Sequence, residues 1–199
     1  LDFGQEYDFS QSFFSQYEKL KNKVPRSALS NKNIVNSDYV NHAGNVKNCY
    51  LIFGSAEAEN CMYGRRFIRS KDSMDCFEVD ECELCYENIH CIKNYDVSYA
   101  LYSRGSVSSG FLSECRNCTN CFLCVGLRNK KYCIENIQYS KEEYFEKLKE
   151  YQNLNTGELV EKLNQLKLRY PIKYRHDLQT YSSTGELLFN CKNIANGSN

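Results

Sequence analysis

Apolar, small and polar positions recur every twelve residues along the middle of this chain. Asn48-Cys49, Asn60-Cys61, Asp72-Ser73 and Asn120-Cys121 are one dipeptide. Counting by twelve from Ser37 reaches Cys49, Cys61, Ser73, Cys85, Val97, Ser109, Cys121 and Cys133, all Cys or Ser except Val97. The preceding residue is Asn or Asp at 36, 48, 60, 72, 96 and 120. Spacing that holds without drift over so long a stretch marks a repeat protein. One coil of a stack cannot bury its own face, so stability must come from neighbouring coils about 4.8 Å away. Asn or Asp before each Cys suits a corner, since its side chain bonds nearby backbone and tolerates unusual φ.

Positions twenty-four apart suggest a larger unit. Phe53, Phe77, Leu101 and Val125 form a wholly apolar column, whereas Arg65, Ile89, Ser113 and Ile137, halfway between, are mixed. Ile52, Cys76, Ala100 and Cys124 form a second small-to-apolar column. The expectation is a mainly β protein: a right-handed parallel β-helix (solenoid) with about 24 residues per coil, built from 12-residue half-repeats. The rival is a flat twelve-residue coil with an inward small residue at every third position.

The flanks read as helices. Phe13, Phe14, Tyr17 and Leu20 follow Ser10 at helical spacing, with Pro25 beyond, and predict an N-terminal capping helix in a segment 1–35. Coils are expected over 36–139. Ser140 and Glu143 form a capping-box signature opening a helical hairpin insertion over 140–170, with Tyr144, Phe145, Leu148 and Tyr151 on one face. A second helix is predicted from Thr156, burying Leu159, Val160, Leu163 and Leu166 and stopping before Pro171. Asn190-Cys191-Lys192-Asn193 restates the dipeptide, so 171–199 reads as the start of a resumed repeat.

Composition narrows the function classes. With 25 basic and 25 acidic residues the chain is neutral, so nothing at whole-chain level points to nucleic acid as a partner. No apolar run approaches a signal-peptide core or a membrane span. No address fixes the compartment, and the cytoplasm is only slightly favoured. The chain opens at Leu1 rather than Met, which reads as a fragment or a processed chain.

Twelve cysteines are the main chemical candidates. Cys115, Cys118, Cys121 and Cys124 stand three apart, and Cys82 and Cys85 repeat the spacing. Runs of Cys-x2-Cys hold zinc or iron–sulfur clusters elsewhere. The same repeat offsets carry Ser and Ala in other coils: Cys118 corresponds to Ser106, and Cys124 to Ala100. Such exchange points to packing of small buried thiols. Disulfides between coils, for instance Cys91 with Cys115, remain a third reading. His90, beside Cys91, reads as surface filler.

Acidic residues gather at Asp72, Asp75, Glu78, Asp80, Glu81, Glu83 and Glu87, after Arg65, Arg66, Arg69 and Lys71. Paired carboxylates on a β-helix face can serve glycan chemistry. A solvated face, neutralised across adjacent coils, is the plainer reading. Arg128, Lys130, Lys131 and Tyr132 form a small basic knot. No glycine-rich phosphate loop, GxSxG elbow or HExxH is present.

The set Val24-Pro25-Arg26, Lys47-Asn48-Cys49-Tyr50-Leu51, Ser70-Lys71-Asp72, Cys82-Glu83-Leu84-Cys85-Tyr86-Glu87, Leu127-Arg128-Asn129-Lys130-Lys131-Tyr132, Tyr139-Ser140-Lys141-Glu142-Glu143-Tyr144 and Asn190-Cys191-Lys192-Asn193 resembles an uncharacterised Cys-rich, β-helix-like repeat family of uncultivated bacteria. The resemblance covers nearly the whole chain and implies no established activity. Similar proteins often begin with a zinc-finger-like segment, which would end before Leu1.

The sequence therefore points first to a non-catalytic solenoid scaffold or binding module. Its protein or glycan partner is expected along a Tyr-rich face near Tyr99 and Tyr102. A zinc or iron–sulfur or thiol-redox protein using Cys115, Cys118, Cys121 and Cys124 is the second reading. A carbohydrate-binding or carbohydrate-active β-helix using the Asp75–Glu87 acids is the third.

Overall fold

The computed structural model describes residues 3–177 and 179–198. Two compact units divide the chain, Leu1–Ser30 and Asn31–Asn199. The first contains helix α1 (Phe13–Lys23), which follows Ser12 and ends at Val24. Pro25 disfavours helical φ/ψ in the residue before it, and Lys21 and Lys23 in the last turn complement the helix dipole. None of its residues is buried, and Phe13 stacks on Tyr17.

The second unit is a stack of parallel coils, a β-solenoid. Its strands are β1 (Asn31–Val35), β2 (Ala43–Lys47), β3 (Tyr50–Phe53), β4 (Met62–Ile68), β5 (Phe77–Asp80), β6 (Tyr95–Leu101), β7 (Val107–Ser113), β8 (Thr119–Val125) and β9 (Lys131–Ile134). The register corrects the expected coil length. Asn31 pairs with Ala43, Tyr50 with Met62, Val107 with Thr119 and Thr119 with Lys131, so a coil takes twelve residues, not twenty-four. Phe53, Arg65, Phe77, Ile89 and Leu101 belong to one column of paired residues. That column faces outward, where Phe and Arg are equally admissible; Arg65 even lies 5.9 Å above the Phe77 ring. Alternation there says nothing about coil length.

Each coil is four triplets. Parallel bridges recur at Asp38, Asn41, Gly44 and Lys47, one per triplet, each to the residue twelve further on. The next residue is left-handed: every third residue from Asn33 to Glu135 has positive φ, with Gly only at 54, 105 and 126. The third residue points inward, as Val40, Ala43, Val46, Cys49 and Ile52 do. Four bends per coil give a four-sided section with one inward side chain per side. Left-handed φ costs an L-residue roughly 1–2 kcal/mol. No β-branched residue occupies those corners, and side-chain ladders such as Asn36 to Asn48 (2.9 Å) and Asn48 to Asn60 (3.1 Å) offset part of the cost.

The backbone hydrogen bonds follow from the triplet. The bridging residue donates to the carbonyl eleven ahead, as Asp38 to Cys49 at 3.1 Å. The left-handed residue donates to the carbonyl thirteen back, as Asn48 to Val35 at 3.0 Å. The inward residue's N–H has no ladder carbonyl. Where the residue twelve back is Ser or Asn, its side chain meets that N–H: Cys49 N–H by Ser37 Oγ (2.8 Å), Ala100 N–H by Asn88 Oδ1 (2.9 Å), Cys121 N–H by Ser109 Oγ (3.1 Å). The same inward groups donate to carbonyls two residues before and nine after, as Cys91 does to Ile89 and Ala100. Cys, Ser and Asn therefore interchange inside because each both gives and takes a hydrogen bond.

Core volume is balanced locally. Phe67 is wholly buried, and an added Cβ at neighbouring Gly64 would lie 2.6 Å from its ring and 2.4 Å from the Cys76 carbonyl. The C-terminal side of the stack turns back through antiparallel β10 (Ile137–Gln138) on β9. Helices α2 (Lys141–Leu148) and α3 (Thr156–Lys167) follow, each opened by a capping box, Ser140 with Glu143 and Asn155 with Glu158. Leu159, Leu163 and Leu166 of α3 cover Phe111, Leu123 and Val125 on the outside of β7 and β8. Parallel pairing then reappears between β11 (Gly185–Glu186) and β12 (Gly197–Ser198), again twelve apart. Among the described residues no helix is long and apolar enough to cross a membrane.

Candidate functional site

Cys115, Cys118, Cys121 and Cys124 are the four inward residues of a single coil, and all are fully buried. Their sulfurs face backbone. Cys115 donates to Ser113 and Cys124 carbonyls, Cys121 to Thr119 and Lys130, and Cys124 to Phe122 and Cys133. Cys118 donates to the Arg116 carbonyl, and its proximity to Cys115 and Cys121 lowers its thiol while raising theirs. Among the described residues no group of three or more His, Cys, Asp or Glu side chains is placed to hold a metal ion.

One disulfide joins Cys82 to Cys85 on adjacent sides of one coil, rather than bridging coils. Cys91 and Cys115 are free thiols with Ser103 between them in the column, so that bridge does not form. Burial pushes Cys76 up to about 11 and Cys91 up to about 12.

The acidic residues are not gathered on one face. Asp72, Asp75, Glu78 and Glu81 occupy four successive corners and so point from four sides. Most have partners in the previous coil: Asn60 bonds Asp72, Arg66 bonds Glu78, and Arg69 bonds both Asp80 and Glu81. Charge therefore does alternate across coils, as the basic run before the acids suggests.

A different constellation emerges beside that neutralised stretch. Arg66, Glu78, His90 and Tyr102 hold the same corner in four successive coils. Arg66 lies 2.6 Å from Glu78 Oε1, and His90 Nδ1 lies 2.5 Å from Glu78 Oε2. The His90 ring stacks on Tyr102, and His176 from the C-terminal segment stacks on the other side of Tyr102, centroids 3.8 Å apart. His176 Nδ1 lies 2.7 Å from Glu186, while its Nε2 is buried, 3.5 Å from Glu114, and makes no hydrogen bond. Burial, followed by Glu186 and Glu78, pushes the Tyr102 phenol up.

The adjoining column of bridging residues runs Ile68, Asp80, Ile92, Arg104, Arg116 and Arg128. Leu187 and Phe189 of the C-terminal segment close over it, with Arg104 5.1 Å above the Phe189 ring. The two columns and this roof enclose a cleft of about 150 Å³. A wider groove, about 450 Å³, lies under α2 and α3, bordered by Phe122, Tyr144 and Leu148.

No family model matches the chain. No curated protein matches it either.

The structure thus places Tyr102, but not Tyr99, in the cleft; Tyr99 packs on Phe111 beside the helical hairpin. His90 pairs with Glu78 and is no surface filler. Sequence reasoning missed Arg104, Arg116 and His176. The two arginines were within reach, since Arg104, Arg116 and Arg128 stand twelve apart. His176 lies outside the repeat and carries no such signal.

Proposed function

We propose that this chain is a binding module: a rigid β-solenoid that holds a small ligand in the cleft between its coils and its C-terminal segment. The observation that carries the reading is the cleft itself. It is small, part apolar and part polar, and its charged and aromatic groups converge from successive coils onto one space. Its mixed apolar and polar lining on a pre-formed frame is that of a small-molecule site, at a size below the usual drug-sized pocket. The coil ladder fixes the backbone under every lining residue, so recognition needs no rearrangement. A scaffold reading alone leaves the stack of His90, Tyr102 and His176, roofed by Phe189, without a purpose.

The thiol coil supports packing rather than ligation, because each sulfur already serves the backbone. Elemental analysis of the chain purified anaerobically without chelator should show zinc and iron far below one atom per chain; about one per chain would overturn this assignment. The cleft is tested by a fragment screen using NMR of the full chain. Shift changes should map to Ile92, Tyr102, His176 and Phe189 and vanish in Ile92→Trp, which fills the space. Binding that survives Ile92→Trp unchanged would refute the site.

A further inference from the structure

We propose that Arg104 and Arg116 form an oxyanion subsite of the cleft, which takes the phosphate or carboxylate group of a small organic anion. Its apolar body would lie against Ile92, Leu187 and Phe189. This deepens the binding-module reading and rests on it.

The argument begins with a charge arrangement that the fold alone does not favour. Arg104 bridges Arg116 and Arg116 bridges Arg128, so three arginines leave adjacent coils at the same position. Strands in a ladder lie about 4.8 Å apart, and like charges directly opposite are destabilising. At three other places in this stack a cation is answered by an acid twelve residues on: Lys47 by Glu59, Arg66 by Glu78, Arg69 by Glu81. In the arginine column Arg104 and Arg116 each instead meet another cation twelve residues on.

Arg128 is occupied, donating to the carbonyls of Glu114 and Leu127. Among the described residues, neither Arg104 nor Arg116 makes a salt bridge to a carboxylate. The acids of the cleft are committed elsewhere, Glu78 to Arg66 and His90, and Asp80 to Arg69. Glu114 accepts from the Lys173 backbone at 3.2 Å and lies 3.5 Å from His176. Burial and the Arg116 charge both press Arg104 toward losing its proton, and burial with Arg116 and Arg128 does the same to Lys173. An anion placed between the two guanidinium groups relieves this repulsion. Paired planar forks match the oxygens of a phosphate or carboxylate. The buried, unbonded His176 Nε2 adds a further polar group on the cleft wall. The roof of Leu187 and Phe189 makes an organic anion a better fit than a bare ion.

The test is calorimetric titration of the full chain at low salt with phenyl phosphate, benzoate, inorganic phosphate and benzyl alcohol. Phenyl phosphate or benzoate should bind at least tenfold more tightly than benzyl alcohol or inorganic phosphate, and whichever is tighter names the oxyanion. Arg104→Gln and Arg116→Gln should each weaken it by roughly 10- to 100-fold, the range for a lost charged hydrogen bond. In the absence of ligand, Arg116→Gln should melt no lower than the parent chain, since a repulsion has been removed. Phenyl phosphate should raise the melting temperature of the parent but not of this variant. Equal affinity of the parent and both arginine variants, or no binding of either organic anion, overturns the subsite. Benzyl alcohol binding that Ile92→Trp blocks and the arginine variants leave intact would keep the cleft and sink the anion. Phenyl phosphate binding lost in Arg116→Gln but untouched by Ile92→Trp would keep an anion site and sink the cleft.

Discussion

Asn60 offers a sharp test of the left-handed corners. Its φ is 54°, its amide accepts from Asn48 at 3.1 Å, and it donates to Asp72 at 2.7 Å. Asn60→Val puts a β-branched side chain where Cβ meets the backbone most severely, and removes both amide bonds. The backbone term is about 1–2 kcal/mol. Two solvent-exposed hydrogen bonds add roughly 0.5–1 kcal/mol each. The sum is about 2–4 kcal/mol. Met62→Val, two residues on, places the same side chain at an extended, exposed position and should change stability by less than about 0.5 kcal/mol. Asn60→Gly should fall between, since it loses the bonds but is free to take positive φ. Urea unfolding followed by circular dichroism and tyrosine fluorescence gives the midpoints, and coincident curves show that the stack opens as one unit. Equal midpoint shifts for Asn60→Val and Met62→Val would refute the triplet geometry.

Two further outcomes follow from the inward side chains. Cys121→Ser should cost less than about 1 kcal/mol, because a hydroxyl still serves the Cys133 N–H and the backbone carbonyls; Cys121→Ala should cost about 1–3 kcal/mol by stranding that N–H. Indistinguishable melting of the two variants would show that the thiols merely fill space. Stability should also fall in alkali. Burial raises Cys76 to about 11 and Cys91 to about 12. The folded state therefore keeps protons that the unfolded chain releases above about 9, so stability is intact below that pH and declines as pH climbs toward 12, by up to about 1.4 kcal/mol per pH unit per thiol. Urea midpoints from pH 8 to 11 should show a steeper decline in the parent chain than in Cys91→Ser; parallel declines would remove Cys91 from the account.

Much of this fold is legible in the sequence once the right positions are compared. The Asn-Cys dipeptide is a left-handed corner followed by an inward hydrogen-bonding group, and its twelve-residue recurrence is the coil itself. Phe53, Phe77 and Leu101 mimic a doubled coil because they are outward residues, on which the stack imposes little. A further signal lies in an exclusion: from Asn33 to Glu135 every third residue avoids Val, Ile and Thr, which positive φ disfavours most. Ser140 with Glu143 was readable because capping is local chemistry. The cleft is different. Its arginine column obeys the repeat, but His176, Leu187 and Phe189 reach it through tertiary docking of an aperiodic segment, and no local pattern announces that.

The triplet gives this protein something like a reading frame. Losing or gaining one residue would hand left-handed corners to Val and Ile and turn Cys outward, so every coil beyond the change would be misread. Losing three would keep inside in and outside out, yet rotate all later columns by one side and separate Arg104 from Arg116. Only a change of twelve restores both phase and column. Such a chain should vary in length by whole coils or by insertions like the α2–α3 hairpin, and scarcely in between.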